Sequence, residues 1–246
     1  MVICAISDMH GNLDFTIDKC DLVLIAGDIT PLNIQWSREL SEEWFKDTFL
    51  PWCNSLPCDK VVMVGGNHDK FLDLTQKQLK LITKAFDALE AEVRNQNRIE
   101  ELFLKGQDKV VYLDCGYYEY KDVVIFGTPL CKIFGNWYFM REEGVQDEIY
   151  ERFKDGKKVD ILLCHDSPYG VSDLILEKDC PWLTTEHIGN KALTRLIESM
   201  KPKKVIHGHI HSSNHEMEAL GESEVYCVSL LSEQYKMTYK PLYFTI

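Results

Sequence analysis

No stretch of the sequence approaches the ~20 consecutive apolar residues that a membrane-spanning helix needs. The first apolar run begins at Val2, with no basic segment and signal-peptide core before it. Low-complexity tracts, internal repeats and a visible linker are also missing, so residues 1–246 are expected to form one domain of ordinary soluble composition. Basic residues are scarce: 27 Lys and Arg face 39 Asp and Glu, a net charge of −12. That balance weighs against a broad nucleic-acid surface, which relies on clustered Lys and Arg. The short clusters Lys154–Lys158 and Lys201–Lys204 read as solvated ends of elements. Paired cysteine motifs are lacking as well. The nine cysteines are odd in number, and several lie in apolar runs (Cys4, Cys131, Cys164, Cys227), so reduced thiols and a cytoplasmic location are expected. Cys53 and Cys58 have no second pair with which to build a zinc knuckle.

What the chain does have is a particular placement of histidine. Five of its eight histidines stand at the ends of short apolar runs, beside aspartates and an asparagine. Asp8 and His10 follow Val2–Ile6, Asp28 follows Leu22–Ala26, and Asn67 with His68 follows Val61–Val64. His165 closes Ile161–Cys164, and His209 with His211 follows Val205–Ile206, where Gly208 leaves the backbone room to turn. Such Val, Ile and Leu runs read as strands buried on both faces, although runs this short are also compatible with buried helix. In open α/β sheets the ligand site lies beyond the carboxyl ends of the strands, so clusters far apart in sequence can converge there.

Each cluster has an ordinary reading. Asp8 with His10 could be a turn or cap, Asn67 with His68 a turn, and His165 a core histidine donating to a carbonyl. Together they would require five coincidences in one order. Imidazole and carboxylate suit Mn, Fe, Zn or Ni better than softer thiolate chemistry does. Eight such positions exceed what one ion takes, and two ions roughly 3.5–4 Å apart need a bridging carboxylate, for which Asp28 is the natural candidate.

The segments Asp8-Met9-His10-Gly11, Gly27-Asp28, Gly66-Asn67-His68-Asp69, His165 and Gly208-His209-Ile210-His211 resemble the full motif set of the calcineurin-like metallophosphoesterases. The resemblance implies one ion on Asp8, His10, Asp28 and His211 and a second on Asp28, Asn67, His165 and His209. It implies catalytic roles for Asp28, Asn67 and His68, and substrate contact by Asn67 and His68. His68 would stabilise the transferring phosphoryl group or protonate the leaving oxygen, and a metal-bridging hydroxide would attack in line. The implied fold is α/β: a four-layer αββα sandwich of two mixed sheets flanked by helices. A wider likeness, through Trp44–Pro57, Gly127-Thr128-Pro129 with Trp137, His165-Asp166-Ser167-Pro168 and Gly189–Pro202, points to the small uncapped branch that includes cyclic-nucleotide and related phosphodiesterases. Asp166, Ser167, Pro168 and Tyr169 replace that branch's usual Thr-Pro-Pro-Leu-Gly-like stretch, so its substrate preference does not carry over.

Two ions, Mn first and Fe, Ni or Zn as alternatives, and a small phosphoester substrate, diester before monoester, are therefore expected. A nuclease, or a binding scaffold with a weak site, is the alternative; the full ligand set with His68 favours the hydrolase. His207 reads as structural, His187 and His215 as solvent-facing, Asn12 as a turn residue, and Asp69 as a loop carboxylate or one orienting a histidine rather than a ligand. Helices are expected over Ser37–Trp52, with Leu40, Trp44, Phe45 and Phe49 on one stripe, over Leu72–Arg94, and over Gly189–Met200. Glu224–Leu230 and Tyr235–Ile246 alternate like antiparallel strands and are expected to complete a second sheet. Trp36, Phe134, Trp137, Tyr138, Tyr169 and Trp182, in loops near the site, are open to two readings, stacking on a nucleobase or packing in the core.

Overall fold

The computed structural model describes residues 1–73, 108–154, 156–176 and 186–246. Its first strands are the apolar runs themselves: β1 (Val2–Ile6), β2 (Leu22–Ile25) and β3 (Lys60–Met63), joined by β4 (Val110–Tyr112). β1, β2, β3 and β4 run parallel, and β11 (Leu242–Thr245) pairs antiparallel on the outer side of β1, giving the order β11-β1-β2-β3-β4. The second sheet is built from β5 (Gly116–Tyr120), β6 (Val123–Thr128), β7 (Ile161–Cys164), β8 (Lys204–His207), β9 (Glu218–Leu220) and β10 (Ser223–Cys227), in the order β5-β6-β7-β8-β10-β9.

The two-residue period of a strand divides these runs between two environments. Ile3, Ala5, Leu22, Leu24, Val62 and Val64 face the other sheet and pack with Ile125, Ile161, Leu163 and Ile206. Their neighbours Cys4, Ile6, Val23, Ile25, Val61 and Met63 face the opposite way, onto Phe45, Phe49, Leu50 and Cys53 of the helical segment. On the far side of the second sheet Phe126, Leu162, Cys164, Val205 and Val225 pack on α4 (Lys191–Met200) and on Tyr150 of α3 (Glu143–Glu151). Helix, sheet, sheet and helix are the four layers of an αββα sandwich.

The expected Ser37–Trp52 helix divides into α1 (Arg38–Trp44), a π-helical turn (Phe45–Phe49) and α2 (Leu50–Ser55). Pro51 has no N–H for the carbonyl of residue 47, and it stands in the first turn of α2, where that loss costs least. The preceding turn widens, with the Leu50 N–H reaching back five residues to the Phe45 carbonyl. Ser37 caps the helix, its side chain accepting from the Leu40 N–H; the Ser41 hydroxyl donates to the Ser37 carbonyl at 2.7 Å. Leu40 is half-exposed rather than in the core. From residue 74 onward the expected Leu72–Arg94 helix lies outside the described residues. α4 begins at Asn190, whose side chain accepts from the Leu193 N–H, and buries Leu193, Leu196 and Ile197 as its periodicity predicts.

The C-terminal expectation needs correcting. Ser223–Cys227 joins the second sheet beside β8, but of Tyr235–Ile246 only Leu242–Thr245 is strand, and it extends the first sheet. Alternation reveals a strand's faces but not its partner, and the open edge here is that of β1.

Candidate metal centre

Every parallel strand of the first three, together with β7 and β8, releases a polar segment at its carboxyl end, and these segments meet across the edge of the sandwich. Asp8, His10, Asp28 and His209 all have positive φ, at 54°, 45°, 52° and 71°. Non-glycine residues seldom occupy this region, and holding four there requires the surrounding hydrogen bonds to over-determine them. The Asp8 N–H donates to the Gly27 carbonyl at 3.1 Å and the His10 N–H to the Asp28 carbonyl at 3.0 Å, which clips the first two loops together. Asp69 accepts from the backbone N–H groups of Thr30 (3.0 Å), Ile29 (3.1 Å) and Gly66 (2.9 Å), and from the Thr30 hydroxyl (2.6 Å). It therefore braces the Asp28 loop against the Asn67 loop, the loop role of its two readings.

Two glycines are needed for close approach. A Cβ at Gly66 would overlap the Asp28 carboxylate, and one at Gly208 would overlap the Asp8 carboxylate and the Ser7 hydroxyl. Gly208 thus serves side-chain proximity, not the turn anticipated for it.

All the predicted ligand residues come together, and all are buried except His209, which is part-buried. His10 Nε2 and His211 Nε2 are 3.3 Å apart, and His211 Nε2 lies 3.3 Å from Asp8 Oδ1. Asn67 Oδ1 is approached by His209 Nδ1 at 2.8 Å and His165 Nε2 at 2.9 Å. Between these groups stands Asp28, whose Oδ2 is 3.4 Å from His165 Nε2 and 3.8 Å from both His10 Nε2 and His68 Nε2. Asp8 with His10 and His211, and Asp8 with Asp28 and His165, each turn three donor atoms to within 4.8 Å of one another.

Outer partners decide which nitrogen each imidazole presents. His165 Nδ1–H donates to the Ala26 carbonyl at 2.7 Å and His211 Nδ1–H to the Ser232 carbonyl at 2.9 Å, so both turn Nε2 inward. His209 is reversed, with Nδ1 inward and Nε2 3.9 Å from Asp166 Oδ1. Asp8 accepts from Ser229 Oγ at 2.6 Å. Burial alone would raise the pKa of Asp8, but His211 and His165 outweigh it and the carboxyl stays ionised. Asp28 is likewise held well below the usual carboxylate range: burial opposes this, and His165 and His68 overcome it. For His165 burial disfavours charge, yet Asp28 drives it up to about 10; for His211, Asp8 does the same, up to about 9. His10 is pushed down to about 3 by burial, and burial also lowers His68 and His209. Two ionised carboxylates, four convergent imidazoles and an amide oxygen in a buried cluster fit divalent cations of the Mn, Fe, Zn and Ni kind.

His68 stands beside this cluster. Its N–H donates to Asp28 Oδ1 at 2.8 Å, Trp137 packs on its ring at 4.4 Å between centroids, and Trp36 stacks on Trp137 at 5.0 Å. A cavity of about 630 Å³ opens onto Asp28, Asn67, His68 and His209, with Phe134, Trp137, Tyr235 and the isoleucines 175, 188 and 210 among its walls and Lys132 on its lining. Tyr138 is core, Tyr169 is exposed, and Trp182 lies outside the described residues.

His207 is fully buried, and its Nδ1–H donates to the Gly208 carbonyl, a structural place. His187 is exposed as expected, though anchored to the buried Asp173. His215 is not solvent-facing: it stacks on Tyr239 at 3.5 Å and donates to the His211 carbonyl at 2.8 Å. Asn12 accepts from the Asp14 N–H in a local turn. Gln35, Ser229 and Tyr235 also belong to the site and carry no sequence signal; Tyr235 packs edge-on over His10 and His211 at 5.0 and 5.4 Å.

The family model for calcineurin-like phosphoesterase matches residues 1–213. UPF0046 protein T07D4.2 of Caenorhabditis elegans is 26% identical over 216 residues, covering 82% of this chain and 49% of its own length. Human metallophosphoesterase domain-containing protein 1 is 24% identical over 213 residues, covering 84% of this chain and 59% of its own. The chain thus spans about half to three-fifths of the length of the curated relatives it matches. Among solved structures, TT1561 of Thermus thermophilus aligns with a TM-score of 0.50 at 14% identity, over 92% of this chain and 88% of that one. Phosphopantetheinyl hydrolase from Mycobacterium tuberculosis aligns with a TM-score of 0.50 at 14% identity, over 95% and 90%. These structural likenesses speak for the fold, and the family match over residues 1–213 goes further: the chain belongs to the calcineurin-like phosphoesterases, a family of divalent-metal-dependent hydrolases.

Proposed function

We propose that this chain hydrolyses phosphodiesters of small molecules, using two divalent ions, with Mn the first candidate. The observation that carries the reading is the convergence of Asp8, His10, Asp28, Asn67, His165, His209 and His211, of which Asp28, Asn67, His209 and His211 line a cavity much larger than a phosphate. Asp8, His10 and His211 would hold one ion, Asn67, His165 and His209 the other, and Asp28 would bridge them. Such ions act as Lewis acids on the phosphoryl oxygens and make water a nucleophile near neutral pH.

The remaining chemistry belongs to the protein. As the water oxygen bonds to phosphorus and the ester P–O bond breaks, one water proton must end on the departing oxygen. His68, pressed between Trp137 and the Asp28 carboxylate, is placed to hold and deliver that proton at Nε2. Burial lowers its pKa from the ordinary imidazole value. Lys132 supplies a cation to the lining, and Phe134, Trp137, Ile175 and Ile210 provide apolar surface for the two groups esterified to the phosphate. This wall supports a diester over a monoester, which would leave it unused.

The reading is tested by chelating the protein, reloading it with Mn²⁺, and comparing a p-nitrophenyl phosphodiester with p-nitrophenyl phosphate. Diester cleavage that is lost on chelation and restored by Mn²⁺ is expected. Monoester cleavage alone would overturn the diester assignment, and metal-independent cleavage the whole reading.

A further inference from the structure

His68 has two ring nitrogens, and only one faces the centre. Its Nε2 is 3.8 Å from Asp28 Oδ2; its Nδ1 points the other way, to the side-chain oxygen of Gln35. Gln35 is itself buried, at 8% exposure, and lies in the loop between β2 and α1. That loop is not free to drift. The Ile34 N–H donates to the Pro31 carbonyl at 3.1 Å and the Ser37 N–H to the Ile34 carbonyl at 2.8 Å. The Ser41 hydroxyl holds the Ile34 carbonyl at 3.1 Å, and Lys70 donates to the Trp36 carbonyl. At the start of the loop Asp69 binds Ile29 and Thr30. The segment that carries Gln35 is thus braced against the segment that carries His68.

An amide oxygen accepts a hydrogen bond and cannot release a proton. Against Gln35 Oε1, His68 must carry hydrogen on Nδ1, so the neutral ring has its lone pair on Nε2. We propose that Gln35 is a positioning residue that fixes the tautomer and aim of His68, so that the proton exchanged during phosphoester cleavage travels at Nε2. Being uncharged, Gln35 does this without adding a negative group beside the Asp28 carboxylate. Rotation of the ring is blocked from other sides as well, by Trp137 on one face and His10 edge-on at 4.7 Å. The inference rests on the phosphoesterase reading for its kinetic consequence, but not for the tautomer.

The test uses the zinc-loaded full chain with ¹⁵N-labelled histidine, the His68 signals being assigned by their loss in His68→Ala. Long-range ¹H–¹⁵N correlation is expected to show hydrogen on Nδ1 in the wild type and in Gln35→Glu, which keeps an acceptor at the same reach. In Gln35→Met, a mixed tautomer is expected. Kinetically, Gln35→Met should lower kcat by about 10-fold or more on a diester with an alkyl leaving group, which needs a proton. On the matching p-nitrophenyl diester, whose leaving group needs none, the loss should be under about 3-fold, with KM and bound metal unchanged. Gln35→Glu should recover most of the alkyl-ester rate. An Nε2-protonated wild type, an unchanged tautomer in Gln35→Met, or equal losses on both esters would overturn the proposal. If no ester is cleaved by the wild type, the functional reading fails while the tautomer measurement still decides the role of Gln35.

Discussion

At the residue scale the site depends on two carboxylates being held where charge is costly, and each predicted substitution removes one support. Asp28→Asn takes away the group that stands between both halves of the centre; turnover is expected to vanish and bound metal, by atomic spectroscopy, to fall below two per chain. His68→Ala is expected to leave metal content intact and lower kcat by roughly 10²–10⁴ on an alkyl diester, the range for a lost proton-transfer group. Gly208→Ala brings a methyl group into the space of the Asp8 carboxylate, so metal content should drop while circular dichroism stays that of a folded chain. The residues that converge at the site were legible because the chemistry of their side chains is itself the signal, and because each follows an apolar run. Gln35, Ser229 and Tyr235 were not. Each acts through a contact between segments distant in sequence, Ser229 with Asp8 across 221 positions, and a lone glutamine or serine in a loop has no period or motif to mark it. Asp69 was visible, but its partners proved to be backbone N–H groups and the Thr30 hydroxyl, which no side-chain pattern reports.

At the element scale, the apolar runs of β1, β2 and β3 predicted strands buried on both faces, and the stripe on α4 predicted its buried face. What local pattern could not supply was the choice among available partners: β11 extends the first sheet because β1 offers the open edge. The break after α1 follows from Pro51, a signal present in the sequence that the hydrophobic spacing of Trp44, Phe45 and Phe49 obscured. Asn190 joins two elements to the site. It caps α4, and its Nδ2 donates to Gln146 of α3 at 2.9 Å and to Asp166 at 3.0 Å, and Asp166 in turn faces His209. Asn190→Ala loses the cap and two buried side-chain hydrogen bonds, at a cost of about 2 kcal/mol. For a chain of this size that corresponds to a fall in Tm of about 4–8 °C, measurable by calorimetry.

At the scale of the whole molecule, an acidic chain gathers its carboxylates and imidazoles at one edge of a four-layer sandwich, where His165 lies against Asp28 and His211 against Asp8. The two histidines have pKa values raised to about 10 and about 9, so both imidazoles are charged at neutral pH, and ions that bind there must displace those protons. Because the folded values are raised, the protonated forms persist until pH climbs through about 9 and about 10. Metal affinity should therefore rise as pH increases from roughly 6 to 8, by about two protons released per centre filled, and level off above about pH 10; isothermal titration in buffers of different ionisation enthalpy counts those protons. The measurement that bears most directly on the central claim is metal stoichiometry coupled to turnover: titrate the chelated protein with Mn²⁺ while following both bound metal and hydrolysis of a phosphodiester. Two ions per chain, with activity appearing only as the second is bound and absent in Asp28→Asn, is the predicted result. Full activity with one ion, with none, or in Asp28→Asn would contradict the two-metal account.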